Sequence, residues 1–123
     1  MALRDLFGRR TARQVIGQAG EDQALSFLQG QGMQLVERNF RCKVGEIDLI
    51  MREAQSLVFI EVRKRAPGRH GAAADSIDAR KQRRLIGAAQ LFLQRYPCPP
   101  ACRFDVIAID GERIDWLRNA IEA

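Results

Sequence analysis

A chain of 123 residues that is 46% hydrophobic holds apolar material for one core and too little length for two. Twenty Lys and Arg against fifteen Asp and Glu leave a formal charge of +5, a balance that favours a polyanionic partner such as nucleic acid. No segment approaches the roughly 18 apolar residues of a membrane span, and the three cysteines have neither the number nor the spacing of a disulfide framework. A cytoplasmic protein that does not enter membranes is expected.

In chain order, residues 1–13 are rich in Arg and show little periodicity, which predicts a loose basic arm. From residue 14 to 31 the small and apolar positions Ile16, Gly20, Ala24, Leu25 and Leu28 recur at helical spacing, and Gly30 and Gly32 end the pattern. Residues 33–40, 46–52 and 57–64 have strand character, with turn-like residues at Val44 and Gly45 and at Ala54 and Gln55. Residues 65–75 are polar and Gly-rich, long enough for a mobile loop. A second helix is predicted over 76–96, with Leu85, Ala89, Phe92 and Tyr96 on one stripe and Pro97 as its stop. Strands at 103–109 and 113–117 flank the hairpin signal Asp110-Gly111. The order αβββαββ predicts an α/β architecture with a mixed sheet flanked by helices.

Two acidic residues break the folding rules. The run Leu57-Val58-Phe59-Ile60-Glu61-Val62 reads as a central strand, yet it carries Glu61, and the preceding strand places Asp48 among Ile47, Leu49 and Ile50. A two-residue turn at Ala54 and Gln55 sets Asp48 opposite Glu61; the same register puts Ile47 opposite Val62 and Leu49 opposite Ile60 on one wholly apolar face, with Glu46 opposite Arg63 and Ile50 opposite Phe59 on the other. Directly opposed side chains stand about 5 Å apart, where like charges destabilise a sheet. A divalent cation that prefers oxygen ligands, Mg²⁺ or Mn²⁺, would offset the repulsion; otherwise both side chains must escape to solvent at the strand ends. Glu21 lies on the inward stripe of the first helix and either joins these carboxylates or stays at the stripe's margin.

Arg63, Lys64, Arg65 and Arg69 follow Glu61, and the second helix opens with Arg80, Lys81, Gln82, Arg83 and Arg84. Lys81 and Gln82 fall one turn before Leu85 on its inward side. The cluster reads as a phosphate-binding rim, to which Arg41 is added, or as a solvated helix face.

Gly20-Glu21, Arg38-Asn39-Phe40-Arg41, Gly45-Glu46-Ile47-Asp48-Leu49-Ile50, Phe59-Ile60-Glu61-Val62-Arg63, Lys81-Gln82 and Arg103-Phe104-Asp105-Val106 together resemble the YraN family of bacterial proteins, over residues 14–117. That family is similar to the PD-(D/E)xK nucleases and in particular to archaeal Holliday junction resolvases. The resemblance implies a restriction-endonuclease-like αβββαβ core in one domain at 14–123, with an added C-terminal strand. It further implies that Asp48 and Glu61 bind the metal, that Glu21 assists, and that Gln82 is the polar residue of the second helix. The chain departs from the pattern at Arg63, where a lysine is called for; arginine keeps the charge but does not release its proton near neutral pH. The expected activity is metal-dependent hydrolysis of DNA phosphodiesters, branched or junction DNA included, by a possible homodimer. The alternative is a nucleic-acid-binding module of the same fold with little catalysis.

Overall fold

Among the described residues the regular elements follow the expected order: helix α1 (Ala12–Gly30), strands β1 (Gln34–Cys42), β2 (Gly45–Glu53) and β3 (Ser56–Lys64), helix α2 (Ala79–Leu93), and strands β4 (Cys102–Asp110) and β5 (Arg113–Ile121). The computed structural model describes residues 12–64 and 77–122, with side chains from residue 19 onward. The basic arm therefore lies outside the described residues, except that Ala12 and Arg13 open α1, and so does the loop carrying Arg65 and Arg69. No helix among the described residues is long and apolar enough to cross a membrane.

The five strands form one sheet in the order β1-β2-β3-β4-β5. β1, β2 and β3 make an antiparallel meander, β3 and β4 are parallel, and β5 returns antiparallel to β4. This mixed sheet with two helices is the restriction-endonuclease-like arrangement anticipated, with β5 as the C-terminal addition. The parallel step requires a crossover between β3 and β4, and α2 lies within it.

Helix ends obey local chemistry. Gly32, at φ +92°, closes α1: Met33 N–H reaches Leu28 O and Gly32 N–H reaches Gln29 O, with Leu28 and Met33 both buried beneath the turn. Helix α2 starts three residues later than the apolar pattern indicates, because Asp78 is its N-cap and accepts the Lys81 N–H at 2.8 Å. It ends at Leu93, so Tyr96 packs against the core from beyond the helix.

Each helix covers one face of the sheet. Ala24 and Leu28 of α1 pack with Leu49, Met51, Val58, Ile60, Ile107 and Ile109. Leu85, Ala89 and Phe92 of α2 pack with Ile47, Ile50, Leu57, Phe59, Phe104 and Val106. Phe59 stacks on Phe104 at 5.4 Å, and Phe92 meets Phe40 edge-on at 5.3 Å.

Near Asp48 the side chains depart from simple alternation. Leu49 pairs with Ile60 and Ile50 with Phe59 as expected, but Ile47 packs on the α2 side and Leu49 on the α1 side. Residues two apart should share a face. The swap has a counterpart in the neighbouring strand, where Asn39 adopts φ +53°: Arg38, opposite Leu49, turns to α1, and Phe40, opposite Ile47, turns to α2. Both strands thus cross over at one level, and Asp48 sits at the crossing. The expectation of a single apolar face shared by Ile47 and Leu49 is corrected accordingly. Glu46 forms an ion pair across to β1 with Arg41, at 3.4 Å.

Gly45 begins β2 directly under α2, and a Cβ built on it would stand 2.3 Å from the Arg84 carbonyl oxygen. Because the obstacle is backbone, Gly45→Ala is expected to destabilise the protein by about 1–3 kcal/mol. Urea unfolding checks this, and an unchanged transition midpoint would contradict the packing described.

Candidate active site

Two strands deliver the carboxylates. The paired register of β2 with β3 runs from Glu53 and Ser56 up to Leu49 and Ile60, and Asp48 is the next residue beyond it. Asp48 Oδ2 accepts the Val62 N–H at 2.8 Å, a side-chain acceptor serving the β3 backbone at the end of the ladder. Glu61, between Ile60 and Val62, is only 4% exposed and points to the α2 face. Its carboxyl group and that of Asp48 are within hydrogen-bonding reach.

Such crowding has an electrostatic signature. Asp48 is pushed from an ordinary 3.8 up to about 8, first by burial, then by the charge of Glu61, with Glu21 and the hydrogen bond to Glu61 adding to it; only the Val62 N–H acts the other way. Burial also raises the carboxyl of Glu21, against the pull of Arg38, Asn39 and Arg41. Glu21 Oε1 is buried with no hydrogen-bond partner, and Arg38 Nη2 stands 3.8 Å from it. Among the described residues no three Asp, Glu, His or Cys side chains are gathered closely enough to hold a metal ion as they stand. Asp48 and Glu61 form the pair, and Glu21 acts on Asp48 through its charge.

Cations border the pair on the α2 face. Lys81 Nζ lies 2.8 Å from Glu61 Oε2, and Arg63 Nη1 lies 3.6 Å from the same oxygen. A cavity of about 350 Å³ opens beside them, lined by Glu46, Glu61, Asp78, Arg80, Lys81, Arg84 and Leu85. An opening with three acidic and three basic side chains in its wall can receive an anion through the bases and a cation through the acids.

The profile of the Uncharacterised protein family UPF0102 matches residues 20–109. The chain belongs to that family, the one its YraN-like motifs indicated. A UPF0102 protein of Herminiimonas arsenicoxydans is 65% identical over 114 residues, covering 93% of this chain and 92% of the relative. A UPF0102 protein of Janthinobacterium sp. (strain Marseille) is 64% identical over 114 residues, covering 93% of both chains. One from Pseudomonas putida (strain GB-1) is 54% identical over 113 residues, covering 86% of this chain and 92% of the relative.

Not every anticipated site residue reaches this place. Lys64 lies on the opposite face, packed on Gly20 of α1, as alternation dictates. The Gln82 amide donates to Ile77 O at 3.1 Å and helps to tie down the start of α2. Arg41 is exposed at the rim with Glu46, and Arg83 is exposed on α2. Arg65 and Arg69 fall outside the described residues.

Two roles were not legible beforehand. Arg38 reaches from β1 to Asp22 at 2.6 Å and to Glu21, which anchors the acidic start of the α1 stripe; the asparagine after it, in a strand-like run, is the signal for a left-handed residue. Asp105 is fully buried and would attract any search for catalytic carboxylates, but its oxygens are saturated. They accept from Arg103 Nε at 3.0 and 3.3 Å, Trp116 Nε1 at 2.9 Å and Asn119 N–H at 2.8 Å, and the last of these pins the register shift of β5 against β4. Asp105 is structural.

The raised Asp48 carboxyl has a consequence for stability. Between about pH 4 and 8 the folded state holds a proton that the unfolded state has released, so this contribution is complete below 3.8 and is lost as pH rises through about 8. Urea unfolding across that range should show a stability component that falls with rising pH and is absent in Asp48→Asn. An identical pH profile for the two proteins would exclude the assignment.

Proposed function

We propose that this UPF0102 protein is a metal-dependent endonuclease that hydrolyses DNA phosphodiester bonds, with Asp48 and Glu61 at its centre. The observation that carries this reading is the contact of two carboxyls just past the end of the β2–β3 ladder, beside a cavity walled by Arg80, Lys81 and Arg84. Glu61 is nearly as buried as Asp105, yet it is set beside a second carboxyl, whereas Asp105 has four donor contacts that tie down the fold.

The residues fit Mg²⁺ or Mn²⁺. All their donor atoms are hard oxygens, the repulsion between Asp48 and Glu61 is what a cation relieves, and Glu21 Oε1 is a buried acceptor still lacking a hydrogen bond. Asp48 and Glu61 would hold the ion, with Glu21 supporting it. An ion held there would supply Lewis-acid polarisation of the phosphate and a lowered pKa for water. The remaining roles belong to the chain: Arg63, on the same strand face as Glu61, stabilises charge that develops on the phosphate, and Arg41, Arg80, Arg83 and Arg84 engage the flanking backbone. A cytoplasmic setting and a homodimer suit symmetric cleavage of branched DNA.

Arg63 supports a second reading. Since its guanidinium does not act as a base, a module that binds nucleic acid through the same rim without cutting it also accounts for the site.

Incubation of the full chain with Mg²⁺ or Mn²⁺ and duplex, single-stranded, flap and four-way-junction DNA separates the two. Wild type is expected to cleave, while Asp48→Asn and Glu61→Gln bind with unchanged affinity and cleave at least about 100-fold more slowly. Cleavage that persists in both variants rules out this site. Salt-sensitive binding without cleavage by wild type selects the second reading.

A further inference from the structure

Lys81 stands where a cation serving Glu61 would have to act. Its Nζ makes the shortest ion-pair contact to that carboxylate, 2.8 Å against 3.6 Å for Arg63. The Glu61 side chain is 5% exposed and that of Lys81 is 44% exposed, so the ammonium covers the carboxylate from the solvent side. The two cations are mounted differently. Arg63 rides on β3 with Glu61 itself, whereas the Lys81 backbone is held at the first turn of α2 by Asp78, leaving four methylenes free to swing into the cavity beside Arg80 and Arg84.

We propose that Lys81 is a tethered, displaceable counter-ion. In the ion-free protein it neutralises Glu61, and a divalent cation entering the Asp48–Glu61 pair must evict it, so Lys81 and the metal compete for one carboxylate. The evicted ammonium stays on its tether within the cavity and adds its charge to the wall that faces a phosphate. This inference rests on the reading of Asp48 and Glu61 as a cation site. It makes the ammonium a device that holds the site together when no ion is present and that lowers affinity for the ion.

Mn²⁺ binding to the full chain, read by electron paramagnetic resonance without nucleic acid at fixed pH and ionic strength, tests it. Lys81→Met and Lys81→Gln should bind Mn²⁺ about tenfold more tightly than wild type, the scale of one charge-assisted hydrogen bond that no longer has to be broken. Arg80→Gln removes an equal charge from the same cavity wall and should change the affinity by no more than about twofold. Circular dichroism confirms that each variant is folded, and having two substitutions at Lys81 guards against failure of either. Affinity unchanged or weakened in both Lys81 variants overturns the inference, as does an equal gain in Arg80→Gln. If wild type binds Mn²⁺ and Asp48→Asn does not, such a failure leaves the cation site standing. Absence of Mn²⁺ binding in wild type and Lys81 variants alike defeats both.

Discussion

The arrangement depends on one unfavourable contact, the approach of Asp48 to Glu61 where the β2–β3 ladder stops. Everything nearby answers to it: a backbone N–H from Val62 anchors one carboxyl, and Lys81 and Arg63 flank the other. The crossing of Ile47 and Leu49 to opposite faces, matched by left-handed Asn39 in β1, frees Asp48 from the alternation that would have given it to one layer or the other. It lies between the two layers of the core, part-buried, turned toward the neighbouring strand.

Comparison of the buried acids shows why this contact points to chemistry. Asp105 and Glu61 are similarly shielded, on adjacent strands, with Ile60 in register with Asp105 and Glu61 with Val106. Asp105 receives donors from a side chain two residues away, from the indole of β5 and from the backbone of its bulge, and each of these bonds fixes part of the fold. Glu61 faces another carboxyl. The donors of Asp105 are parts of the scaffold, whereas Glu61 is balanced by Lys81 and Arg63 at the edge of a cavity, where a ligand can compete for it.

Much of this could be read from residues alone, for identifiable reasons. The apolar run of β3 and the two-residue turn at Ala54 and Gln55 leave one register that keeps Leu49 and Ile60 buried together, so the meeting of Asp48 and Glu61 follows from pattern. Lys81 on the inward side of α2 follows from its spacing to Leu85. The crossing at Asn39 did not follow, because a left-handed residue in a strand pays off only when the partner strand turns with it, a property of two segments together. The extent of β5 was also missed: its last residues pair only across the bulge that Asp105 pins, which a local reading ending at Leu117 has no means to detect. Gln82 looked poised for the site, but its amide donates to Ile77 O just ahead of the N-cap Asp78, because α2 starts only at Ala79.

The central claim is that burial, together with the charge of Glu61 beside it, keeps a proton on Asp48 where a carboxylate would ordinarily be bare. The direct measurement is a ¹³C NMR titration of the side-chain carboxyl carbons in the ion-free full chain. The account predicts a midpoint for Asp48 near 8 that moves down when Glu61 is replaced by Gln. A midpoint in the ordinary range near 3.8 and indifferent to Glu61 would contradict it.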